Sequence, residues 1–364
     1  MNFPDREGCG VKKNIDAMGI ILLTVAIVAV TALPGMTAPR GKLTIENADL
    51  VGAGATFPAP LYQRWINEFT AQGAGFTIFY DAVGSGAGTR RFMAGEVDFG
   101  ASDAAMRDEQ MAQVTNGVQL IPATAGMIVL AYNLPDVTGQ LRLSREVYVD
   151  IFLGRIRHWN DERIRSLNPG LELPRLNIVT VTRSDSSGTT WAFTNHLSAV
   201  SPEWRDQGPG TGKKVDWPGN SMAARYNEGV AVKIRHAWGS IGYVEYGIAR
   251  RAGLPMAVLE NREGDYIQPT GVSGGASLAN TLGQMPANLR MYLPDPAGKD
   301  SYPIVTYSWL LLYGSYTDKA KADKVKRFVN WGLNDGQKFA SEYGYIPLPP
   351  SVATAALRGL DRVD

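Results

Sequence analysis

The residues best placed to do chemistry lie in three short loops rich in glycine and hydroxyl side chains. They are Gly52-Ala53-Gly54-Ala55-Thr56-Phe57-Pro58, Gly84-Ser85-Gly86-Ala87-Gly88-Thr89 and Ser187-Gly188-Thr189-Thr190. Each precedes a segment with helical character: Leu61–Phe69, Arg90–Ala94 and Trp191–Leu197. A helix start exposes N–H groups without partners and the positive end of the dipole, and glycine lets a ligand approach the backbone closely. One such loop taken alone reads as an ordinary capped helix. Three of them, each with a hydroxyl, would converge on a small tetrahedral oxyanion with little need for lysine.

Two charged positions sharpen that reading. Arg183 and Asp185 are two residues apart at the end of the apolar run Leu176–Thr182, so their side chains can share a face. Paired, they would aim a rigid guanidinium fork at an oxyanion while keeping the pocket close to neutral; unpaired with a ligand, they are a surface ion pair of little consequence. Asp103, after Val97-Asp98-Phe99-Gly100-Ala101-Ser102, is the odder residue. A carboxylate in an anion pocket repels its ligand unless the ligand brings a proton to donate. Hydrogen phosphate does so; sulfate at neutral pH does not. A site built around a ligand hydrogen bond can reject the analogue lacking it by roughly 10⁴–10⁵. In isolation Asp103 reads as a turn or cap residue.

The elements that must position these residues alternate. Phe76–Val83, Val97–Ser102, Ala125–Asn133 and Leu176–Thr182 have strand character, and Ala125–Asn133 is a continuous apolar run, as in a strand covered on both faces. Leu61, Trp65 and Phe69 recur at helical spacing, and a last helix is expected over Asp318–Gly332. Strand, loop and helix in repetition argue for an α/β fold. With 364 residues, 45% of them hydrophobic, the chain is long enough for about two domains. Thirty-six Lys and Arg against 35 Asp and Glu remove the electrostatic case for a nucleic-acid binder. One cysteine excludes an internal disulfide, and three histidines offer little to a zinc site. The expected cofactor and metal content is none.

The segment before residue 39 reads as an address. Lys12 and Lys13 precede the apolar stretch Ile20–Val30, and small residues follow in Val30-Thr31-Ala32 and Met36-Thr37-Ala38. This is the form of an export signal, the first of the two cleavage sites fitting better because Pro39 follows the second. The alternative is an uncleaved anchor, since Ala17–Leu33 is only slightly shorter than the ~20 residues that span a bilayer. Cys9 lies before the apolar run, so it is not a lipid-bearing cysteine after a signal.

GAGATFPAPLY (52–62), VDFGASDA (97–104) and RSDSSGTT (183–190) together resemble the phosphate-binding proteins of phosphate ABC transporters. Trp217-Pro218, the Ile241–Tyr246 stretch and Tyr345-Ile346-Pro347-Leu348-Pro349 extend the resemblance over nearly the whole chain after residue 48. It implies a two-lobed periplasmic binding protein fold, type II-like, with the ligand in a cleft between α/β lobes joined by a strand hinge. Lobe I would be discontinuous, residues 45–124 and 300–364, with lobe II at 125–299 and the export signal or anchor at 1–38. By the same resemblance, Thr56 and Phe57 would offer backbone N–H groups, and Thr56 also its hydroxyl. Ser85 would donate its hydroxyl, Asp103 would accept the ligand proton, and Arg183, held by Asp185, would fork onto the phosphate. Ser187, Gly188 and Thr189 would close the other side. The family commonly has two serines and then two glycines where this chain has Ser85-Gly86-Ala87-Gly88.

The expected function is extracytoplasmic capture of inorganic phosphate by a monomer and its delivery to membrane permease subunits with their ATPase, without covalent chemistry and without nucleic acid. Its rivals are a binding protein for another oxyanion, a phosphate sensor and, remotely, a serine hydrolase. The hydrolase reading rests on Gly271-Val272-Ser273-Gly274-Gly275, which fits G-x-S-x-G, but the last histidine, His236, precedes that serine in chain order. Ser187 with His196 or His236 as base is the other nucleophile to weigh, His196 falling on the helix after the third loop.

Overall fold

The structure, a computed structural model, describes residues 43–281 and 285–364. The export segment and Cys9 lie outside the described residues. Eleven strands occur among them: β1 (Leu50–Gly54), β2 (Ile78–Asp81), β3 (Phe99–Ser102), β4 (Val118–Tyr132), β5 (Arg142–Leu143), β6 (Val179–Arg183), β7 (Ser221–Ala224), β8 (Ser240–Glu245), β9 (Val258–Glu260), β10 (Tyr266–Ile267) and β11 (Val305–Tyr313). Eight of these form one sheet in the order β2-β1-β3-β11-β4-β8-β6-β7, and β10, β9 and β5 form a small second sheet. This is the α/β class expected from the alternation of strands and helices, in the two-lobed form that the family resemblance implies.

β4 joins the two halves of the large sheet. Its first part, Val118–Met127, pairs antiparallel with β11, and its last part, Ile128–Tyr132, pairs antiparallel with β8. The apolar run read from the sequence as Ala125–Asn133 is thus the second half of a 15-residue strand, buried from Leu120 onward. On one side β1 pairs parallel with both β2 and β3; on the other β6 pairs parallel with both β7 and β8. In parallel sheets the chain leaves each strand at its C-terminal end for a crossing helix, and ligand-binding loops gather there.

The helices follow from their apolar spacing. Ala59–Ala71 buries Leu61, Tyr62, Trp65, Ile66 and Phe69, and the Trp65 indole N–H donates to the Gly336 carbonyl at 2.8 Å. Pro58 is the N-cap of that helix and Pro60 lies in its first turn, where a missing N–H costs nothing. The other two loops enter their helices earlier than the sequence suggests: those helices run Ser85–Met93 and Gly188–Val200. Lys319–Leu333 forms as expected, with the Asp318 carboxylate capping the N–H groups of Ala320 and Lys321 at 2.9 and 3.3 Å. It is not the last helix. A 3₁₀ turn (Asp335–Phe339) and helices Ala340–Tyr343 and Pro350–Leu360 follow. Pro350 opens the last of these, where proline is tolerated because its missing N–H has no helical partner to lose.

One close approach fixes where the second loop begins. A side chain at Gly88 would put its Cβ 2.2 Å from the Gly54 Cα and 2.7 Å from the Ala53 carbonyl, so helix Ser85–Met93 lies directly on β1. Both obstructing atoms are backbone and cannot swing aside. Gly88→Ala should therefore destabilise the fold by about 1–3 kcal/mol through overpacking. The check is a urea titration in which the midpoint falls while the slope stays constant.

Candidate functional site

The three loops meet. Thr56 and Phe57 follow β1, Ser85 follows β2, Asp103 follows β3, and Arg183 through Thr189 continue from β6. Thr56, Ser85, Asp103, Arg183, Ser187 and Thr189 are each 4% exposed or less. A Cβ on Gly188 would fall 2.4 Å from the Ser85 Oγ and 2.7 Å from the Asp103 Oδ2, so the third loop touches the second loop and Asp103 together. The Gly86 N–H donates to the Ser186 carbonyl at 2.8 Å across the same junction. A Cβ at Gly86 would lie 2.3 Å from the Ser186 Cβ, which is why this position is glycine in this chain.

The loop backbones leave several donors without partners. Around the first loop the carbonyl groups are occupied: Tyr80 Oη donates to the Ala55 carbonyl at 2.8 Å and Tyr345 Oη to the Phe57 carbonyl at 2.6 Å. Among the described residues, the N–H groups of Thr56, Phe57, Ser85, Gly188 and Thr189 have no acceptor within the chain. Ser187 caps its helix, its Oγ accepting the Thr190 N–H at 3.1 Å, which leaves the hydroxyl proton free to donate.

Arg183 and Asp185 form the pair expected from their spacing. Arg183 Nε donates to Asp185 Oδ1 at 2.8 Å, and a terminal nitrogen donates to Oδ2 at 2.6 Å. The other terminal nitrogen lies 3.5 Å from Thr189 Oγ1. Burial works to raise the Asp185 carboxyl, but the guanidinium and the Tyr226 N–H, at 3.0 Å, hold it below its ordinary value. Tyr226 accepts a positive φ of 64° to deliver that N–H, a strained backbone spent on orienting the pair.

Asp103 is 1% exposed. Its Oδ1 accepts from Ser308 Oγ at 2.8 Å and its Oδ2 from Ser85 Oγ at 3.3 Å. Burial pushes its carboxyl up to about 6, and Ser308, Arg183, Ser85 and Lys213 keep it from rising further. A buried acid of this kind has accepting capacity left over and a ready use for a partner's proton.

Sequence reasoning missed Ser308, Asn227 and Lys213. Asn227, fully buried after β7, donates through Nδ2 to both Thr56 Oγ1 and Thr189 Oγ1 at 3.1 Å, tying the first loop to the third. Ser308 is aimed by a β-bulge: β11 pairs Ser308 with Thr124 but Trp309 with Pro122, leaving Ala123 extra on β4. The only trace in the sequence is Pro122 near an apolar run, since proline lacks the ladder donor and marks bulges. Nothing in the sequence pattern marks Asn227.

The hydrolase elements do not assemble. Ser273 lies inside helix Gly271–Ala279, its Oγ donating to the Gln268 carbonyl at 2.7 Å, rather than on a strand-to-helix turn. His196 is packed, not catalytic in placement: its ring nitrogens meet Tyr148 Oη at 2.8 Å and the Pro294 carbonyl at 2.6 Å, and burial drives its pKa down to about 4.

Fold and site together define a two-lobed binding protein. Comparison with known proteins agrees: the model of the PBP superfamily domain matches residues 38–335. The phosphate-binding protein PstS of Pasteurella multocida is 40% identical over 312 residues, covering 85% of this chain and 89% of that protein. PstS of Haemophilus influenzae is 39% identical over 317 residues, 86% and 93% of the two chains. Among solved structures, the high-affinity periplasmic phosphate-binding protein PfluDING, bound with phosphate, matches with a TM-score of 0.69 at 20% identity, covering 84% of this chain and 92% of that one. The chain belongs to the PBP superfamily and, within it, to the family of the phosphate-binding proteins PstS.

The Asp103 environment has a consequence for stability. Its folded pKa, about 6, exceeds the ordinary 3.8, so the folded state binds a proton more tightly than the unfolded state. The burial penalty is therefore complete above about pH 6 and fades as pH falls towards 4. Asp103→Asn, free of anion, should be more stable than the native chain at pH 7 by on the order of 2–3 kcal/mol, with the gap closing on acidification. Thermal melts of both proteins between pH 4 and 8 measure it; a gap independent of pH would contradict the assignment.

Proposed function

We propose that this chain captures inorganic phosphate outside the cytoplasm, in the cleft between its lobes, and delivers it to the permease of a phosphate ABC transporter. The observation behind this reading is the buried Asp103 among N–H groups without partners and the Arg183 fork. A carboxylate there is unfavourable to an anion with no proton and favourable to one that can donate. The names of the 40% and 39% identical relatives support the same ligand.

In this reading Thr56 and Phe57 give N–H groups, Ser85 and Thr189 add hydroxyls, Gly188 and Ser187 complete the far wall, and Asp103 takes the hydrogen bond from the phosphate O–H. Asn227 positions the Thr56 and Thr189 hydroxyls without needing to touch the ligand. Lobe I comprises residues 45–124 and 300–364 and lobe II residues 125–299, the hinge being β4, which changes partner between Met127 and Ile128. Closure is a hinge motion about that strand. No covalent step is proposed: His196 is committed to Tyr148 and Pro294, and the site offers positioned donors rather than a nucleophile beside a base. Export would be directed by residues 1–38; among the described residues no helix is long and apolar enough to cross a membrane. The chain acts as a monomer, and its partners are the permease subunits and their ATPase.

Calorimetric titration of the chain from Arg40 onward, stripped of bound anion, tests the ligand. Tight one-to-one phosphate binding with no sulfate heat is expected, and equal binding of both would remove the role given to Asp103. Asp103→Asn should weaken the rejection of sulfate while losing less phosphate affinity than Arg183→Ala. Gly188→Ala, whose methyl would wedge against Ser85 and Asp103, should weaken phosphate binding by roughly 100-fold or more, because a misplacement of about 1 Å is felt that strongly in a positioned site.

A further inference from the structure

Lys213 lies on the connection between β6 and β7, outside the set of residues read as phosphate ligands. Both of its ends engage the site. Its carbonyl accepts the Ser187 N–H at 2.8 Å, which fixes the residue that caps the third loop's helix. Its ammonium reaches Ser102 Oγ at 3.4 Å, on the residue immediately before Asp103. Ser102 Oγ in turn donates to the Ala104 carbonyl at 2.6 Å, so the lysine meets a firmly held hydroxyl. Away from the site, Lys213 lines a cavity of about 450 Å³ with Ala104, Arg107, Trp191, Arg290 and Tyr292.

The charges require something at this place. Arg183 and Asp185 cancel each other through their fork, leaving Asp103 as a buried negative charge in a pocket for an anion. A dianion entering such a pocket would meet net repulsion. The ammonium of Lys213 returns the group of four to neutrality before the ligand arrives.

We infer that Lys213 is a further affinity-determining residue: its ammonium is the counter-charge to Asp103 and, reaching across from the opposite lobe, latches the closed cleft over the bound anion. This rests on the phosphate reading above. Burial draws the ammonium down to about 8; Asp103 opposes that shift, and Arg107 and Arg90 reinforce it. A bound dianion adds negative charge and raises the lysine pKa, so above about pH 8 binding takes up a proton and affinity falls as pH rises. Of the other groups facing it, Asp103 changes charge near 6, burial holds the Tyr292 hydroxyl above its ordinary value, and the rest are the guanidinium groups of Arg90, Arg107, Arg183 and Arg290.

The native chain, Lys213→Met, Lys213→Arg and, as a surface control, Lys214→Met are titrated with inorganic phosphate at pH 7.5, 8.5 and 9.5, with off-rates by stopped flow and a melting curve for each. The native chain should lose affinity several-fold across this range. Lys213→Met should bind roughly 10–100-fold more weakly at pH 7.5, mainly through a faster off-rate, with a flat pH profile. Lys213→Arg should keep tight binding but also lose the pH dependence, and Lys214→Met should match the native chain. Native affinity and native pH profile in Lys213→Met would overturn the inference. So would equal losses in the Met and Arg variants with matching falls in melting temperature, since the residue would then only support the loop. If the native chain bound no phosphate at any pH, the functional reading itself would fall, an outcome distinct from both.

Discussion

A buried carboxylate at the meeting of three loops, where we propose that an anion is held, governs this structure. Asp103 is almost sealed from water, and what stabilises its carboxylate comes from separate elements: hydrogen bonds from Ser308 on β11 and Ser85 at the start of a helix, and the charges of Arg183 at the end of β6 and Lys213 beyond it. Burial alone would make it a neutral acid. The surrounding donors and cations hold it near the point where it can still be charged, the balance that the proposed role in an anion site requires. Remove the convergence of those elements and Asp103 becomes either a surface cap or an unfavourable core residue.

The convergence follows from the sheet. Parallel strands in both halves leave their C-terminal ends facing the same place, so loops distant in sequence are delivered to one point without any of them being long. β4 is shared by both halves, which makes it the member about which they can turn. At the loops the contacts that cross the junction, such as Asn227 to Thr56 and Gly86 to Ser186, are hydrogen bonds, while elsewhere Tyr292 meets Trp309 across it edge to face at 5.8 Å. Hydrogen bonds between surfaces that can be rehydrated are modest in net strength, which suits the hinge closure proposed above. The segment at Tyr345-Ile346 steadies the other side, bridging to Ala125 on β4 and fixing the Phe57 carbonyl.

The α/β class and the three loops were determined by the sequence itself, because they depend on local physics. Apolar runs, helix starts rich in glycine and hydroxyls, and the two-residue spacing of Arg183 and Asp185 express preferences of neighbouring residues. The residues of the site that lie on those loops were legible for the same reason. Tertiary structure alone decided what those loops would face. Ser308 is aimed at Asp103 by a bulge whose only local mark is Pro122, Asn227 joins two loops from a third, and Lys213 reaches Ser102, the residue before Asp103, from far along the chain. These are pairings across more than a hundred residues of chain, except for Asn227 and Thr189, which still belong to different strands' ends. No periodicity records such pairings, because they arise from register and strand order, which only the assembled sheet fixes.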